Sequence, residues 1–254
     1  MTLTSRKNDI VRRFRELQRD KKMRDSEGVF IAEGDHLCGE ATMAGAEIRY
    51  ALITEKAQVK YPDAAKALIA SAKDYAVISD DIAEYISDTK APQGLFAEIV
   101  KRPQSDVPSG KLVLLDGVQD PGNVGTIIRT AEALGIKGVL LSDKCADIYS
   151  PKTLRASMGS IFRLPCIGCA LSETIVALRE NGYTVYGAML DETAKKLGEV
   201  SFDERSAVVI GSEGRGISDE VKNACTGGLY IPITGAESLN AAAAAAMILW
   251  ELSK

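Results

Sequence analysis

Residues 111–129 read KLVLLDGVQDPGNVGTIIR. Within the stretch 111–116 an apolar run, 112–115, lies between Lys111 and Asp116, and this pattern is typical of a strand buried on both faces of a sheet. A loop with Gly and Pro follows, and the apolar positions from Val124 onward recur with the helical period to residue 134. A buried strand joined in this way to an amphipathic helix predicts a mostly parallel sheet with helices on both faces.

The same alternation continues toward the carboxyl end of the chain. Helical periods cover residues 174–181 and 238–252, and strand-like apolar runs cover 138–141, 184–188, 207–210 and 229–233. A smaller α/β domain is predicted before residue 100, from strands at 29–32, 48–53, 75–78 and 94–100 and helices at 63–72 and 81–86. Residues 101–110 contain two prolines and no apolar period, so they predict a linker. The predicted domains are therefore 1–100 and 111–254.

Charge is distributed unevenly along the chain. The net charge is −4, but residues 1–24 hold nine Lys and Arg against three Asp and Glu. The helix predicted here has its basic residues on one face and, on the other, Ile10, Val11, Phe14 and Leu17. Because salt screens charges beyond about 10 Å, a basic end on an acidic body attracts phosphate locally. The alternative is an amphipathic helix whose charged face is only solvated.

Histidine and cysteine usage excludes several classes of site. His36 is the only histidine, so a histidine-rich metal centre is excluded, and we expect this residue to be structural or at the surface. The five cysteines, with no secretory signal before them, indicate reduced thiols in a cytoplasmic protein. Cys166 and Cys169 form a CxxC without the second pair that a zinc site needs, which favours packing over a redox role. The longest apolar run, 241–250, is too short to span a membrane.

The chain holds neither of the common nucleotide fingerprints, GxGxxG and GxxxxGK[ST]. Instead, three segments of strand, loop and helix carry polar residues. In the first, Asn123 is predicted to cap the helix, and Arg129 lies about 1.7 turns further along it. The arginine presents a planar donor fork that suits a phosphate or a developing oxyanion. The alternative is a helix cap followed by a surface arginine.

The second segment ends in the loop GSEGRG at residues 211–216. Its three glycines expose the backbone to a ligand that side chains would otherwise exclude. The third segment continues from a strand into SLNA at residues 238–241, where Ser238 is predicted to cap the last helix. Asn240 adds two donors and one acceptor nearby, and the alanines after it leave space for a flat group.

In this order the three segments resemble the motifs of the SpoU (TrmH-like) RNA ribose 2′-O-methyltransferases, within the SPOUT superfamily. The first motif is matched by Asn123, Gly125 and Arg129, the second by residues 211–216, and the third by Pro232, Gly235 and 238–240. Residues 151–162 resemble the family's segment between motifs, so the likeness covers about 111–252. Toward the amino end, FIAEG at 30–34 and QGLFA at 93–97 resemble the start and end of a domain like ribosomal protein L-thirty-e, which many such enzymes use to bind RNA.

The resemblance implies a C-terminal α/β trefoil-knot domain that binds S-adenosylmethionine, and a homodimer with the active site near its interface. It implies that the cofactor is held by the backbone around Val209, Gly211, Ile231, Leu239 and Ala241. It also implies that the reacting site is lined by Asn123, Arg129, Glu213, Ser238 and Asn240. Neither a metal nor a membrane is implied. The chain departs from the family at Ala241, where valine is common, so we expect a looser cofactor pocket.

The predicted function is the S-adenosylmethionine-dependent methylation of a ribose 2′-hydroxyl in ribosomal or transfer RNA, with residues 1–100 binding the RNA. The family's arginine is proposed to activate the hydroxyl. Because arginine normally stays protonated, we expect Arg129 to position a phosphate and to stabilise the developing alkoxide. Two alternatives stay open: a non-catalytic RNA-binding protein on the same scaffold, and a methyltransferase that acts on a base.

Overall fold

The computed structural model describes residues 2–103, 106–190, 193–235 and 238–254. Over these residues the strands are β1 (Thr2–Leu3), β2 (Val29–Glu33), β3 (Ile48–Thr54), β4 (Ala72–Ile78), β5 (Leu95–Val100), β6 (Leu112–Asp116), β7 (Gly138–Leu141), β8 (Cys166–Gly168), β9 (Thr184–Ala188), β10 (Lys195–Lys196), β11 (Ser206–Gly211) and β12 (Gly227–Tyr230). The helices are α1 (Asp9–Arg19), α2 (Lys21–Glu27), α3 (Asp35–Met43), α4 (Glu55–Lys60), α5 (Pro62–Ser71), α6 (Asp80–Ile86), α7 (Pro121–Ala133), α8 (Pro151–Ser157), α9 (Leu171–Glu180), α10 (Asp219–Ala224) and α11 (Ala241–Ser253).

These elements form two compact units. The first contains the described residues up to Pro103 together with Tyr149–Phe162, and the second contains the other described residues. Residues 104–105 of the predicted linker and residues 236–237 of the third predicted loop lie outside the described residues.

The first unit is a five-stranded sheet with helices packed against it. Its strand order is β1-β4-β3-β5-β2, in which β1, β3 and β4 run parallel and β5 runs antiparallel to both of its neighbours. Helix α1 begins after Asn8, whose side chain accepts hydrogen bonds from the backbone N–H groups of Ile10 and Val11. It buries Val11, Phe14 and Leu17 in the core, as the helical period predicts.

Two arginines of the basic amino-terminal segment hold this unit together. Arg13 donates two hydrogen bonds to the carboxylate of Glu98 in β5, at 3.0 and 2.8 Å, and Glu98 is only 3% exposed. Arg24 is buried and donates to the backbone carbonyls of Leu17, at 2.6 Å, and Gln18, at 3.2 Å. A carboxylate buried at position 98 without its partner would be costly. Part of the positive charge of residues 1–24 therefore stabilises the fold.

The segment Tyr149–Phe162 packs with the first unit, whereas the predicted domain limits place it in the second. The ring of Phe30 in β2 contacts the rings of Tyr149 and Phe162, with centroid distances of 4.6 and 6.1 Å. Arg155 forms an ion pair with Asp88 at 2.8 Å. These partners lie far apart in the sequence. Linker composition and local periodicity therefore do not show that Tyr149–Phe162 leaves the second unit and packs with the first, an arrangement that we call the excursion.

The second unit is a seven-stranded sheet in which every pair of neighbouring strands is parallel. The strand order is β10-β12-β9-β11-β6-β7-β8, with Leu112, Leu114, Val185 and Val209 in the core. The carboxyl ends of these parallel strands meet at one edge, which is where open α/β sheets bind ligands. Strands β6 and β11 are neighbours, and Asp116 lies opposite Gly211. The parallel sheet predicted from residue 111 onward is confirmed.

The start of α7 differs from the prediction. The helix begins at Pro121 and its cap is Asp120, whose carboxylate accepts the backbone N–H of Asn123 at 3.0 Å. The prediction that Asn123 is the cap is therefore wrong. Proline suits the first helical position because an N–H there would have no partner within the helix. Asn123 lies inside the first turn, and its side chain is left for another partner.

The start of α11 also differs. Asn240, and not Ser238 as predicted, is the cap, because its side-chain oxygen accepts the backbone N–H groups of Ala242, at 2.9 Å, and Ala243, at 3.2 Å. Asparagine is as good a cap as serine, and it stands next to the first alanine of the helix. The capping bonds use the oxygen of the Asn240 amide and leave its nitrogen as a donor.

All five cysteines are free. Burial raises the pKa of the Cys166 thiol to about 12, so it is protonated at neutral pH and is not the nucleophilic form. Within the described ranges, no helix is both long and apolar enough to cross a membrane. The same residues contain no group of three or more His, Cys, Asp and Glu side chains arranged to hold a metal ion.

Candidate active site

The loop after β11 is tied back onto itself. The backbone N–H of Ser212 donates to the carbonyl of Gly216 at 3.0 Å, and the N–H of Gly216 donates to the carbonyl of Ser212 at 2.9 Å. A Cβ atom at Gly211 would lie 2.2 Å from the carbonyl carbon of Gly216, so only glycine fits there. Gly216 itself has a φ of +65°, which other residues rarely adopt. The glycines thus form a tight turn with Glu213 and Gly214 at its tip.

Three of the predicted site residues, one from each motif, meet at the carboxyl edge of this sheet. The side-chain amide of Asn123 in α7 donates to a carboxylate oxygen of Glu213. The carbonyl oxygen of the same amide accepts from the side-chain nitrogen of Asn240 at 3.1 Å. Because both ends of the Asn123 amide are used, its orientation is fixed. Among the described residues, the other carboxylate oxygen of Glu213 has no hydrogen-bond partner, so it is open to a ligand.

A cavity of about 290 Å³ adjoins this network. That volume is near the lower end of the range of about 300 to 1,000 Å³ for small-molecule sites. Its wall is formed by the loop 211–216, by the ends of β9 and β12, and by α11. Glu213 and Ser238 supply polar groups, while Ile231 and Ile248 belong to an apolar side. The cavity therefore offers a mixed lining at the ligand-binding edge of the sheet.

Most of the residues predicted to hold the cofactor lie in this wall. Those that line the cavity are Gly211, Ile231, Leu239 and Ala241. Val209 is fully buried in the core of the sheet and does not line it, whereas its neighbour Ile210 does. Successive side chains of a strand point to opposite faces, which explains the difference. The roles of all five residues in cofactor binding stay predictions.

Arg129 lies apart from the network formed by Asn123, Glu213 and Asn240. It is exposed on α7, about 9 Å along the helix axis from Asn123. No hydrogen bond or ion pair joins its guanidinium to another residue in the described part of the chain. The structure therefore leaves this arginine available to a group from outside the chain, and its predicted role stays a prediction.

Two family models match the chain. A model of the SpoU rRNA Methylase family matches residues 110–250, and a model of the MRM3-like substrate binding domain matches residues 8–97. The chain belongs to the SpoU rRNA methylase family. The family resemblance predicted from the three motifs is thereby confirmed, and so is the presence of a separate amino-terminal domain.

Relatives of this SpoU family member span nearly its whole length. It is 33% identical, over 98% of both chains, to the 23S rRNA (guanosine(2553)-2′-O)-methyltransferase RlmP of Bacillus subtilis strain 168. The AdoMet-bound rRNA methyltransferase from Sinorhizobium meliloti is 30% identical, with a TM-score of 0.88 over 99% of this chain and 97% of that one. The SpoU methyltransferase AviRb from Streptomyces viridochromogenes, in complex with AdoMet, is 27% identical, with a TM-score of 0.86 over 97% of both chains.

The cavity of this SpoU methylase suits S-adenosylmethionine, the cofactor of the family. Ile231 and Ile248 offer an apolar surface to a flat purine ring, and Glu213 offers an acceptor to hydroxyl or ammonium groups. Gly214 and Gly216 also line the cavity, and a Cβ atom at either position would meet no atom within 4 Å. The two glycines thus leave open space beside the backbone, where a ligand fits.

Asp116 is not among the site residues predicted from the sequence of this SpoU methylase. Its carboxylate, at the end of β6, accepts both the backbone N–H of Ser218, at 2.8 Å, and the hydroxyl of Ser218, at 2.7 Å. Asp116 is only 6% exposed. The available signal was an acidic residue at the end of an apolar strand, next to the first motif. Its partner Ser218 lies just beyond the second motif, so the pairing itself was not visible.

Proposed function

We propose that this chain transfers a methyl group from S-adenosylmethionine to a ribose 2′-hydroxyl of ribosomal or transfer RNA, the reaction class predicted from the sequence. The observation that carries the site assignment is the network of Asn123, Glu213 and Asn240 beside the cavity. Three motifs distant in sequence supply one residue each, and none of the three side chains is needed to fill the core. Such a polar cluster is typical of a binding or catalytic site.

We assign the cofactor to the cavity at the carboxyl edge of the second unit. The backbone of the loop 211–216 borders one side of the cofactor, and Ile231, Leu239 and Ala241 face its apolar parts. Glu213 accepts a hydrogen bond from a polar group of the ligand, while its other oxygen stays bound to Asn123. When bound, S-adenosylmethionine supplies a methyl group on a positively charged sulfur, so the methyl needs no further activation.

The remaining task of the protein is to align the ribose and to stabilise charge. Transfer forms a carbon–oxygen bond at the 2′-hydroxyl, breaks the carbon–sulfur bond and releases the hydroxyl proton. Ser238 lines the cavity and lies within reach of a nucleoside at its edge. Arg129 binds an RNA phosphate and stabilises the negative charge that develops on the 2′-oxygen. Alignment of oxygen, methyl and sulfur supplies much of the remaining rate enhancement.

In this proposal the chain forms a homodimer, and the second copy packs on the exposed face of α11. Met247 and Trp250, which are 47% and 57% exposed, lie three positions apart on this helix and so share one side. Contiguous apolar surface of this kind is what a protein–protein interface buries. Helix α11 packs against α7, which carries Arg129, so a homodimer through this face brings the site close to the interface. The trefoil knot and a cytoplasmic location stay predictions.

The first unit binds the RNA in this proposal. The model that matches residues 8–97 is that of a substrate binding domain, and five basic residues of α1 and its flanks form no ion pair with a described residue (Lys7, Arg15, Arg19, Lys21 and Lys22). Ribosomal RNA is favoured as the substrate, because a relative matched over 98% of both chains is named as a 23S rRNA methyltransferase. RNA of this kind is recognised through its shape and its exposed loops.

Nucleoside mass spectrometry tests the proposal. The purified protein is incubated with unmodified ribosomal and transfer RNA and with S-adenosylmethionine that carries a labelled methyl group. A labelled 2′-O-methylnucleoside is expected in one of the two RNA pools. Label on a base would contradict the acceptor and support the base-directed alternative. A protein that binds RNA but neither binds the cofactor nor transfers label would support the non-catalytic alternative.

A further inference from the structure

Ser218 occupies the cap position of α10 but does not cap the helix. Its backbone is extended, as a cap requires, yet its side chain forms no hydrogen bond with the first turn. A serine at this position normally accepts a backbone N–H, a bond that contributes about 1 kcal/mol. The hydroxyl instead donates to Asp116 at 2.7 Å. The Ser218 hydroxyl therefore stabilises the contact with β6 and does not stabilise the start of α10.

The acceptor, Asp116, is buried at the end of β6. A buried carboxylate needs charge-assisted hydrogen bonds, and in the described residues both of its hydrogen bonds come from Ser218. Because β6 and β11 are neighbouring strands, this contact fixes the far end of the loop 211–218 to the strand beside the one where the loop begins.

Within the loop itself, two backbone hydrogen bonds join Ser212 and Gly216, and the described residues add few other restraints. Three of its first six residues are glycines, which lose the most conformational freedom when a loop is ordered. Its tip is held at Glu213 by Asn123, which lies in the first turn of α7, the helix that follows β6. The loop is therefore held at two places, at its tip by Asn123 of α7 and at Ser218 by Asp116 of β6.

We propose that Asp116 and Ser218 form a positioning pair for the cofactor site. Neither residue lines the cavity, so the pair acts through the loop, whose backbone and Glu213 do line it. It keeps the loop against β6, in the shape in which the cavity is already formed before the ligand arrives. The identity of the ligand in this inference rests on the proposed function, whereas the ordering of the loop does not.

Strand β11, which leads into the loop, offers a matched control at its other end. Ser206, where β11 begins, is 1% exposed, and its hydroxyl donates to Asp203 at 2.9 Å. It is also a serine bound to an aspartate, but it is remote from the cavity lining. Ser206→Ala therefore reproduces the loss of a serine–aspartate hydrogen bond without touching the loop 211–218.

The test measures the dissociation constant of S-adenosylmethionine by calorimetry on the full chain. Ser218→Ala is expected to weaken binding about tenfold, or 1.4 kcal/mol. Ser218→Thr keeps the hydroxyl and is expected to bind within about twofold of the parent protein, and Ser206→Ala is expected to bind like the parent. Parent-like binding by Ser218→Ala, or equal weakening by Ser218→Ala and Ser206→Ala, would overturn the proposal.

Hydrogen exchange without ligand separates this inference from the proposed function. Faster exchange of the backbone amides of residues 212–217 is expected in Ser218→Ala and not in Ser206→Ala. If the parent protein fails to bind S-adenosylmethionine, the proposed function fails, and the exchange result still decides whether Asp116 and Ser218 order the loop. Unchanged exchange in Ser218→Ala would contradict the positioning pair.

Discussion

The two units of this SpoU methylase use their polar residues in different ways. In the first unit, Arg13 and Arg24 are paired inside the fold, with Glu98 and with backbone carbonyls. In the second, Asn123 and Glu213 pair with each other beside a cavity and add little to packing. A polar residue that the fold does not need is therefore a better sign of function than a count of charges along the sequence.

The largest effect is expected at Arg129. If this arginine serves the reaction and not the fold, Arg129→Ala lowers the rate of methyl transfer by about 10² to 10³-fold. The dissociation constant of S-adenosylmethionine and the free energy of unfolding stay close to those of the parent. Single-turnover assays with saturating RNA, together with calorimetry, measure both quantities.

Thr126→Ala, one turn earlier on α7 and also exposed, is the control and should keep its activity. If Arg129→Ala transferred methyl groups at the parent rate, Arg129 would not serve the reaction. The contrast between arginines that stabilise the first unit and an arginine that acts in the second would then fail.

A smaller effect, on stability, is expected at Arg13. Arg13→Met leaves the carboxylate of Glu98 buried without its partner, so the free energy of unfolding should fall by about 3 kcal/mol. Arg12→Met is the matched control, since Arg12 pairs with Asp9 at the surface of the same helix and should contribute less than about 1 kcal/mol. Urea titration measures both variants. Equal losses would mean that the burial of Glu98 does not distinguish the two arginines.

RNA affinity should respond to the basic residues of α1 and its flanks that form no ion pair with a described residue. Replacing three of them together by alanine is expected to weaken RNA binding about tenfold at low salt and to lower the salt slope by about 0.7 for each phosphate that is no longer bound. The residues are Arg19, Lys21 and Lys22. A control with the same change in net charge replaces Lys56, Lys60 and Lys66. If the two triple variants had identical salt slopes, RNA affinity would depend on the total charge of the protein and not on the position of these basic residues.

The smallest effect concerns pH, and here the two units behave alike. Burial raises the pKa of Cys38 in the first unit and that of Cys166, to about 12, in the second. Because the folded value exceeds the reference value of 9.0, the stability from a buried neutral thiol is complete below pH 9 and is lost as pH rises toward 12. Cys166→Ala should therefore lose about 1 kcal/mol less stability than the parent between pH 8 and pH 10. Parallel pH profiles of unfolding would contradict this.

Much of the second unit was predictable because its sequence signals are local. Apolar runs such as 112–115 and 207–210 predict buried parallel strands, and the glycine loop 211–216 predicts a ligand-facing turn. The caps were harder, since Asp120 and Asn240 compete with nearby residues that are equally good caps. The contact between Asp116 and Ser218 depends on tertiary structure and has no local signal.

In the first unit, the helices without a clear apolar period were not predicted. Helix α2 is almost wholly polar, and its buried residue is Arg24, which no apolar pattern would select. Helix α3 contains Gly39, which lowers helical propensity, and its helical form depends on burying Leu37 and Cys38. Here tertiary packing decides the structure. Charge alone could not show that the basic residues of segment 1–24 have different roles. Arg13 and Arg24 stabilise the fold, whereas others form no ion pair with a described residue.

The excursion of Tyr149–Phe162 into the first unit bears on how such proteins can be recombined. The first unit is built from two stretches of chain, so one crossover near residue 104 does not carry all of it. A chimera joined there would place Phe30 from one parent against Tyr149 and Phe162 from the other. Amino-terminal domains of this architecture are therefore exchanged intact only when residues 149–162 travel with them, and a gene made by a single splice inherits a mismatched aromatic cluster.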